Sequence, residues 1–175
     1  MSKILISGYY GFANAGDEAM LTAIIESLRQ VEKNVELTVL SGNPEDTAAK
    51  HQVCSVYRFN PLGIIRAMKD SELIISGGGS LLQDVTSKRS LLYYLSIIGL
   101  GKFFGKKVML FAQGIGPIRA KWARKLTSLV CNEADLITVR DSESAAELIE
   151  MGVKPEKITV TADSVLSLNP VTKEC

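Results

Sequence analysis

Short apolar runs alternate with longer segments of helical period from one end of the chain to the other. Ile4-Leu5-Ile6, Leu73-Ile74-Ile75 and Leu136-Ile137-Thr138-Val139 are runs of the length that a sheet buried on both faces requires. Between the first two, Met20, Ile24, Leu28 and Val31 recur at spacings of 4, 4 and 3, which predicts a helix over 17–31 with one buried face. The same reading predicts strands at 3–8, 35–40, 53–57, 73–75, 108–112, 135–139 and 157–161. Helices are predicted at 46–50, 61–69, 88–104, 119–132 and 142–151, the last closed by Gly152 as a C-cap. In 119–132 the large residues Trp122, Leu126, Leu129 and Val130 are expected inward, with Lys121, Arg124 and Lys125 in solvent.

Strand and helix alternate throughout, so the expected fold is α/β: a Rossmann-like, doubly wound, mostly parallel sheet with helices on both faces. The 175 residues suit one domain, expected over 1–168, with 169–175 a frayed tail or the start of an interdomain linker. A net charge of +1 gives no electrostatic basis for a nucleic-acid partner. Cys54, Cys131 and Cys175 lie far apart and His51 is the single histidine, so neither a zinc site nor a disulfide framework follows. A reducing, cytoplasmic setting is expected. The opening MSKILISGYYGF does not read as a signal peptide. The longest apolar stretch, LLYYLSIIGLGKFF, has 14 residues, short of the roughly 20 that a membrane span needs, and reads as a buried helix. Lys102, Lys106 and Lys107 at its end leave peripheral membrane contact as the alternative.

Ligands of open α/β sheets bind beyond the carboxyl ends of the strands. Those ends carry Gly8-Tyr9-Tyr10-Gly11, Ser41-Gly42-Asn43, Ser76-Gly77-Gly78-Gly79-Ser80, Gln113-Gly114-Ile115-Gly116-Pro117, Arg140-Asp141-Ser142 and Ala162-Asp163-Ser164, whereas the amino ends carry ordinary charged and turn residues. One rim is therefore expected to hold a ligand. In the first loop Asp17 and Glu18 suit the dipole of a helix start, where Asp17 is a candidate cap, and they would repel a phosphate. Asn14 and Asp17 are better read as partners of sugar hydroxyls. The glycine spacing is not a dinucleotide fingerprint, and GxxxxGK[ST] is absent. Gly77, Gly78 and Gly79 permit positive φ and close approach of a ligand. Ser80, Gln83, Asp84, Thr86, Ser87, Lys88 and Arg89 then open a helix whose N–H groups suit an anion, a solvated helix surface being the other reading. Arg140 either pairs with Asp141 or Asp163, or clamps a carboxylate with two parallel hydrogen bonds; its place at the rim favours the clamp.

Taken together, GYYGFANAGDEA (8–19), SGGGSLLQDVTSKRSLLYYL (76–95), AQGIGP (112–117), TVRDSESAAELIEMG (138–152) and TADSVL (161–166) resemble the polysaccharide pyruvyl transferases of the CsaB type. Ser164 departs from the pattern, since a proline often follows that aspartate. The resemblance implies transfer of the enolpyruvyl group of phosphoenolpyruvate to a sugar as a ketal. The acceptor it implies is a lipid-linked, N-acetylmannosamine-containing disaccharide for cell-wall polymers. It also implies a GT-B-like pair of Rossmann-like domains of which this chain is the first. The catalytic histidine then belongs to the other domain, His51 matches no motif, and the isolated chain is expected to be inactive. Arg140 takes the catalytic position. Substrate contacts are expected from Asn14, Asp17, Gly77, Gly78, Gly79, Ser80, Gln83, Asp84, Arg89, Gln113, Gly114, Asp141 and Asp163. No metal or cofactor is expected beyond phosphoenolpyruvate as donor, and the partners are that donor and the lipid-linked acceptor. The competing readings are a GT-B glycosyltransferase using a nucleotide sugar and a non-catalytic, truncated Rossmann-like binding domain.

Overall fold

The computed structural model describes residues 2–85 and 87–161. Strands β1 (Lys3–Ser7), β2 (Glu36–Ser41), β3 (Cys54–Tyr57), β4 (Leu73–Gly77), β5 (Lys107–Gln113), β6 (Leu136–Val139) and β7 (Ile158–Val160) form one sheet in the order β3-β2-β1-β4-β5-β6-β7. All six pairings are parallel. Helices α1 (Ala15–Val31), α2 (Pro44–His51), α3 (Pro61–Asp70), α4 (Lys88–Phe103), α5 (Lys121–Glu133) and α6 (Ser142–Glu150) make the crossovers. The Rossmann-like α/β fold expected from the alternation is the fold observed.

The two sheet faces are covered by different helices. Ile4, Ile6, Val39 and Ile75 pack with Leu21, Ile24 and Ile25 of α1. Leu5, Ile74, Leu110 and Ile137 point the other way, against Met68 of α3, Leu91, Leu95 and Ile98 of α4, Ala123 of α5 and Leu148 of α6. Because side chains alternate along a strand, one apolar triplet such as Leu73-Ile74-Ile75 feeds both layers. From β1 the chain steps to β2 and β3, then returns past β1 to β4. The switch point of the sheet thus lies between β1 and β4, where their carboxyl ends open a crevice.

Local signals explain most boundaries. Asn43 and Asn60 cap α2 and α3, each followed by proline in the first turn. α1 begins two residues earlier than expected because Asn14, rather than Asp17, caps it, accepting from the Gly16 and Asp17 N–H groups at 3.0 and 3.3 Å. Val31, expected on its buried face, is 89% exposed at the helix end. The inward face of α5 also differs from expectation. Ala123, Thr127 and Cys131 are buried, whereas Trp122 and Leu129 stand out in solvent. Small residues on that stripe let the helix lie close to its neighbours, and Leu126 and Val130 pack along the edge of the contact. Arg124, expected in solvent, pairs with Glu147 at 2.6 Å and Glu150 at 3.2 Å of α6. Among the described residues no helix is long and apolar enough to cross a membrane. Thr86, Asp163, Ser164 and 169–175 lie outside the described residues.

Candidate functional site at the switch point

The loop after β1 is folded down by its own polar groups. Tyr10 is fully buried, and its hydroxyl donates to the Gly77 carbonyl at 2.5 Å, tying the end of β1 to the end of β4. Burial, with the Asp17 charge adding to it, pushes the Tyr10 hydroxyl far above the usual tyrosine range, so it stays a donor. Gly11 N–H donates to Glu18 at 2.8 Å, and Glu18 also meets His51 at 3.4 Å.

This packing answers what the glycine run is for. Gly78 and Gly79 adopt φ of +83° and +69°, which residues with a Cβ rarely do. A Cβ on Gly78 would stand 2.9 Å from the Tyr10 hydroxyl, and one on Gly79 2.8 Å from Asp17 Oδ1. Tyr10 and the first turn of α1 thus approach these two glycines closely.

The loop following Gly79 is zipped to the one following β5. Gly114 N–H donates to Gly79 O at 3.1 Å and Gly116 N–H to Leu82 O at 3.1 Å. Asp84, expected to meet substrate, accepts from the Arg119 and Ala120 N–H groups at 2.9–3.0 Å. Those backbone bonds, Ala120 first, hold its carboxyl below the usual range. Its place is in the scaffold of the rim. Gln113 is also withdrawn from the surface: it is fully buried, and neither side-chain polar atom has a hydrogen-bond partner.

At the rim lies a cavity of about 400 Å³ lined by Tyr9, Asp17, Ser80, Leu81, Gln83, Ser87, Ser90 and Tyr94. Its polar lining is a carboxylate, an amide, three serine hydroxyls and phenols, a set suited to the hydroxyls of a sugar. Burial, and secondarily the negative charge of Glu18, raise the Asp17 pKa. Asp17, Ser80 and Gln83 are thus brought together as expected. Asn14 stays beside them as the exposed cap of α1, its side-chain oxygen engaged by backbone N–H groups. Arg89 is exposed on the first turn of α4 and does not line the cavity.

Arg140 reaches the same place from the end of β6. Its Nη2 donates to Ser80 Oγ at 3.1 Å, and its Nε to Asp141 Oδ2 at 3.3 Å. The guanidinium lies close against Gly114, where a Cβ would come within 2.7 Å of both Nε and Cζ. Gly114 therefore has a definite role: it makes room for Arg140. Asp141 caps α6 through the Ser144 N–H at 2.6 Å, which is the first cause of its lowered pKa. The Arg140 side chain remains 37% exposed.

Sequence reasoning missed Tyr9, Ser90 and Tyr94 as cavity residues, and it missed Arg58. Ser87, Ser90 and Tyr94 recur at spacings of 3 and 4, which puts them on one face of α4; that signal was available. Arg58 follows β3 directly at the ligand rim, the position that singled out Arg140 after β6.

A parallel sheet with a polar crevice at its switch point, an arginine close against a glycine at the rim and a hydroxyl-rich cavity define a Rossmann-like α/β domain with a candidate site at its carboxyl rim. The family model for polysaccharide pyruvyl transferases matches residues 14–174, and the chain belongs to that family. No curated protein gives a significant sequence match. Among solved structures the chain is similar to Anabaena Alr3699/HepE in complex with UDP and glucose, with a TM-score of 0.64 at 14% identity over 93% of this chain and 44% of that one. It is also similar to UDP-GlcNAc 2-epimerase from Neisseria meningitidis bound to UDP-GlcNAc, with a TM-score of 0.59 at 13% identity over 95% and 47% of the two chains. A third is the S. aureus MnaA–UDP co-structure, with a TM-score of 0.56 at 16% identity over 99% and 49%. The chain thus spans less than half the length of these proteins, and the likeness is one of fold.

Proposed function

We propose that the chain forms one wall of the active-site cleft of a polysaccharide pyruvyl transferase. The reaction is transfer of the pyruvyl group of phosphoenolpyruvate to a sugar of a lipid-linked cell-wall precursor, as a ketal. The observation that carries this reading is the Arg140 guanidinium, seated on Gly114 and bonded to Ser80 at the edge of the hydroxyl-lined cavity.

The chemistry assigns roles accordingly. A proton added to the methylene carbon of phosphoenolpyruvate makes it a methyl group and leaves C2 electrophilic. One sugar hydroxyl oxygen bonds to C2, phosphate departs with the C–O electron pair, and a second hydroxyl closes the ketal while the two hydroxyl protons are released. Arg140 suits the donor carboxylate, which a planar fork holds with two parallel bonds. Asp17, Ser80, Gln83 and Ser90 suit the acceptor hydroxyls, and the raised pKa of Asp17 makes its carboxylate a better proton acceptor than an ordinary one. The proton for the methylene carbon is assigned to the second domain that the family resemblance implies, and the work of this chain to a cytoplasmic protein.

The test uses a full-length transferase carrying this chain, supplied with a sugar acceptor and either phosphoenolpyruvate or a UDP-sugar. Phosphate release and a ketal product are expected only with phosphoenolpyruvate. Glycosyl transfer from the UDP-sugar would replace this reading with that of a glycosyltransferase. Arg140→Lys should lose at least about tenfold in kcat/KM while its melting temperature falls by only a few degrees, because a point charge cannot make the paired contact.

A further inference from the structure

Among the described residues, Arg58 is a buried charge whose hydrogen-bonding groups are left partly unsatisfied. It is 4% exposed, and its guanidinium carbon lies 4.4–5.9 Å from the ring centroids of Tyr93, Phe59, Phe12, Tyr94 and Tyr9. Nη2 donates to the Tyr94 hydroxyl at 3.4 Å, whereas Nε and Nη1 are buried with no hydrogen-bond partner. Among the described residues no carboxylate pairs with it. Aromatic faces attract a cation, but they do not replace the hydrogen bonds that two guanidinium nitrogens lose on burial. A guanidinium held this way is poised for an anion.

What adjoins Arg58 tells which anion. On one side Tyr9 and Tyr94 belong both to its aromatic cage and to the lining of the 400 Å³ sugar cavity. On the other, an apolar cavity of about 310 Å³ runs between α3 and α4, with Arg58 among its lining residues beside Phe59, Ile64, Ile65, Ile97 and Leu100. None of the residues lining that groove is acidic. Phe59 is 60% exposed, which makes it the least held of the five rings and the natural cover to turn aside.

We propose that the groove and Arg58 are the lipid-phosphate subsite of the acceptor. A single apolar chain lies between α3 and α4, the phosphate at its head is received by Arg58, and its sugar extends into the cavity of Asp17 and Ser80. The inference rests on reading that cavity as the acceptor-sugar site, but its test is one of binding and needs neither donor nor turnover.

Calorimetric titration of the chain with farnesyl diphosphate should show binding at least tenfold tighter than with inorganic pyrophosphate or with farnesol, because each of these lacks one half of the ligand. Arg58→Met replaces the charge by an apolar side chain that suits its surroundings; it should keep the melting temperature and weaken farnesyl diphosphate at least tenfold. Leu100→Ser, on the half-exposed rim of the groove, should weaken farnesyl diphosphate while leaving pyrophosphate unchanged, and it serves if Arg58→Met does not fold. Lys125→Met, a basic-to-apolar change on α5, should change nothing. Equal affinity for pyrophosphate and farnesyl diphosphate would reduce the site to a simple anion pocket and overturn the proposal. So would an Arg58-independent association with phosphatidylglycerol vesicles, or burial of the groove in a dimer seen by sedimentation. Failure of the pyruvyl-transfer assay with intact farnesyl diphosphate binding would sink the assigned reaction and spare the subsite.

Discussion

Gly114→Ala tests how closely the arginine must be placed. Gly114 does not have a positive φ, so alanine suits its backbone, and the cost of the change is local. The new methyl group would stand 2.7 Å from Arg140 Cζ, Arg140 Nε and Ser80 Oγ, whereas ordinary contact begins at 3.4 Å. The guanidinium must therefore retreat by roughly 1 Å, a displacement that can cost about 100-fold in rate where orientation matters. Both groups in the way are ends of side chains rather than backbone, so the fold can yield at a cost of about 1–2 kcal/mol, mostly the lost Arg140–Ser80 bond. The expected result is a 10- to 100-fold fall in kcat/KM for phosphoenolpyruvate in a full-length transferase carrying the chain, with a melting temperature lowered by only a few degrees. Combining the change with Arg140→Lys should add little, because both disrupt one arrangement. Near-normal turnover by Gly114→Ala, or full additivity with Arg140→Lys, would refute the argument that Gly114 exists to seat Arg140.

Other substitutions separate scaffold from site. Gly78→Val places a β-branched residue at φ +83° with its Cβ 2.9 Å from the buried Tyr10 hydroxyl, and urea unfolding should show a loss of about 3 kcal/mol; a loss under 1 kcal/mol would make the glycine merely permissive. Asp17 has a raised pKa, so its contribution to stability is present below the ordinary carboxylate range and lost as pH rises. Asp17→Asn should therefore melt at or above the parent at pH 7, converge with it near pH 3, and bind the sugar acceptor more weakly. Asp135 is the opposite case: burial would raise its pKa, but Lys102 Nζ at 2.7 Å and the Val108 N–H at 2.8 Å outweigh it and hold it at about 2. Its stabilisation is present above about pH 4 and fades toward pH 2, so Asp135→Asn should cost about 1 kcal/mol at pH 7, discounted for partial exposure, and nothing in melts near pH 2. Asp84→Ala should lower the melting temperature through the lost Arg119 and Ala120 bonds and leave the sugar affinity of the folded fraction unchanged.

The order of elements was legible because it follows from local pattern. A parallel strand buried on both faces must be a short apolar run, and each crossover must supply a helix, so alternation alone yields the layers. Pattern was a poorer guide to which stripe of a helix turns inward. On α5 the eye goes to Trp122 and Leu129, yet Ala123, Thr127 and Cys131 are the buried row. Closeness of approach decides there, and it depends on what the neighbouring elements present, which is not written within the helix.

The rim divides along the same line. Arg140 could be placed at the rim because one strand end suffices to put it there, whereas the packing of Asp84 and of the glycines depends on partners from other loops. Asp84 is held by Arg119 and Ala120, 35 and 36 residues away, and Gly78 makes room for Tyr10. A polar residue at a strand end is therefore evidence of a site only after the neighbouring loops have taken what they need for their own backbone. By that measure Asp84 and Asn14 are consumed by the scaffold, while Asp17, Ser80 and Gln83 still face a cavity. Arg58 fails to fit either class in the chain as it stands: the scaffold gives it aromatic faces but leaves two guanidinium nitrogens unsatisfied, which a finished structural contact would not. Rings from the loop after β1, from the loop after β3 and from α4 converge on it, and no stretch of sequence shorter than the distance from Tyr9 to Tyr94 contains that arrangement.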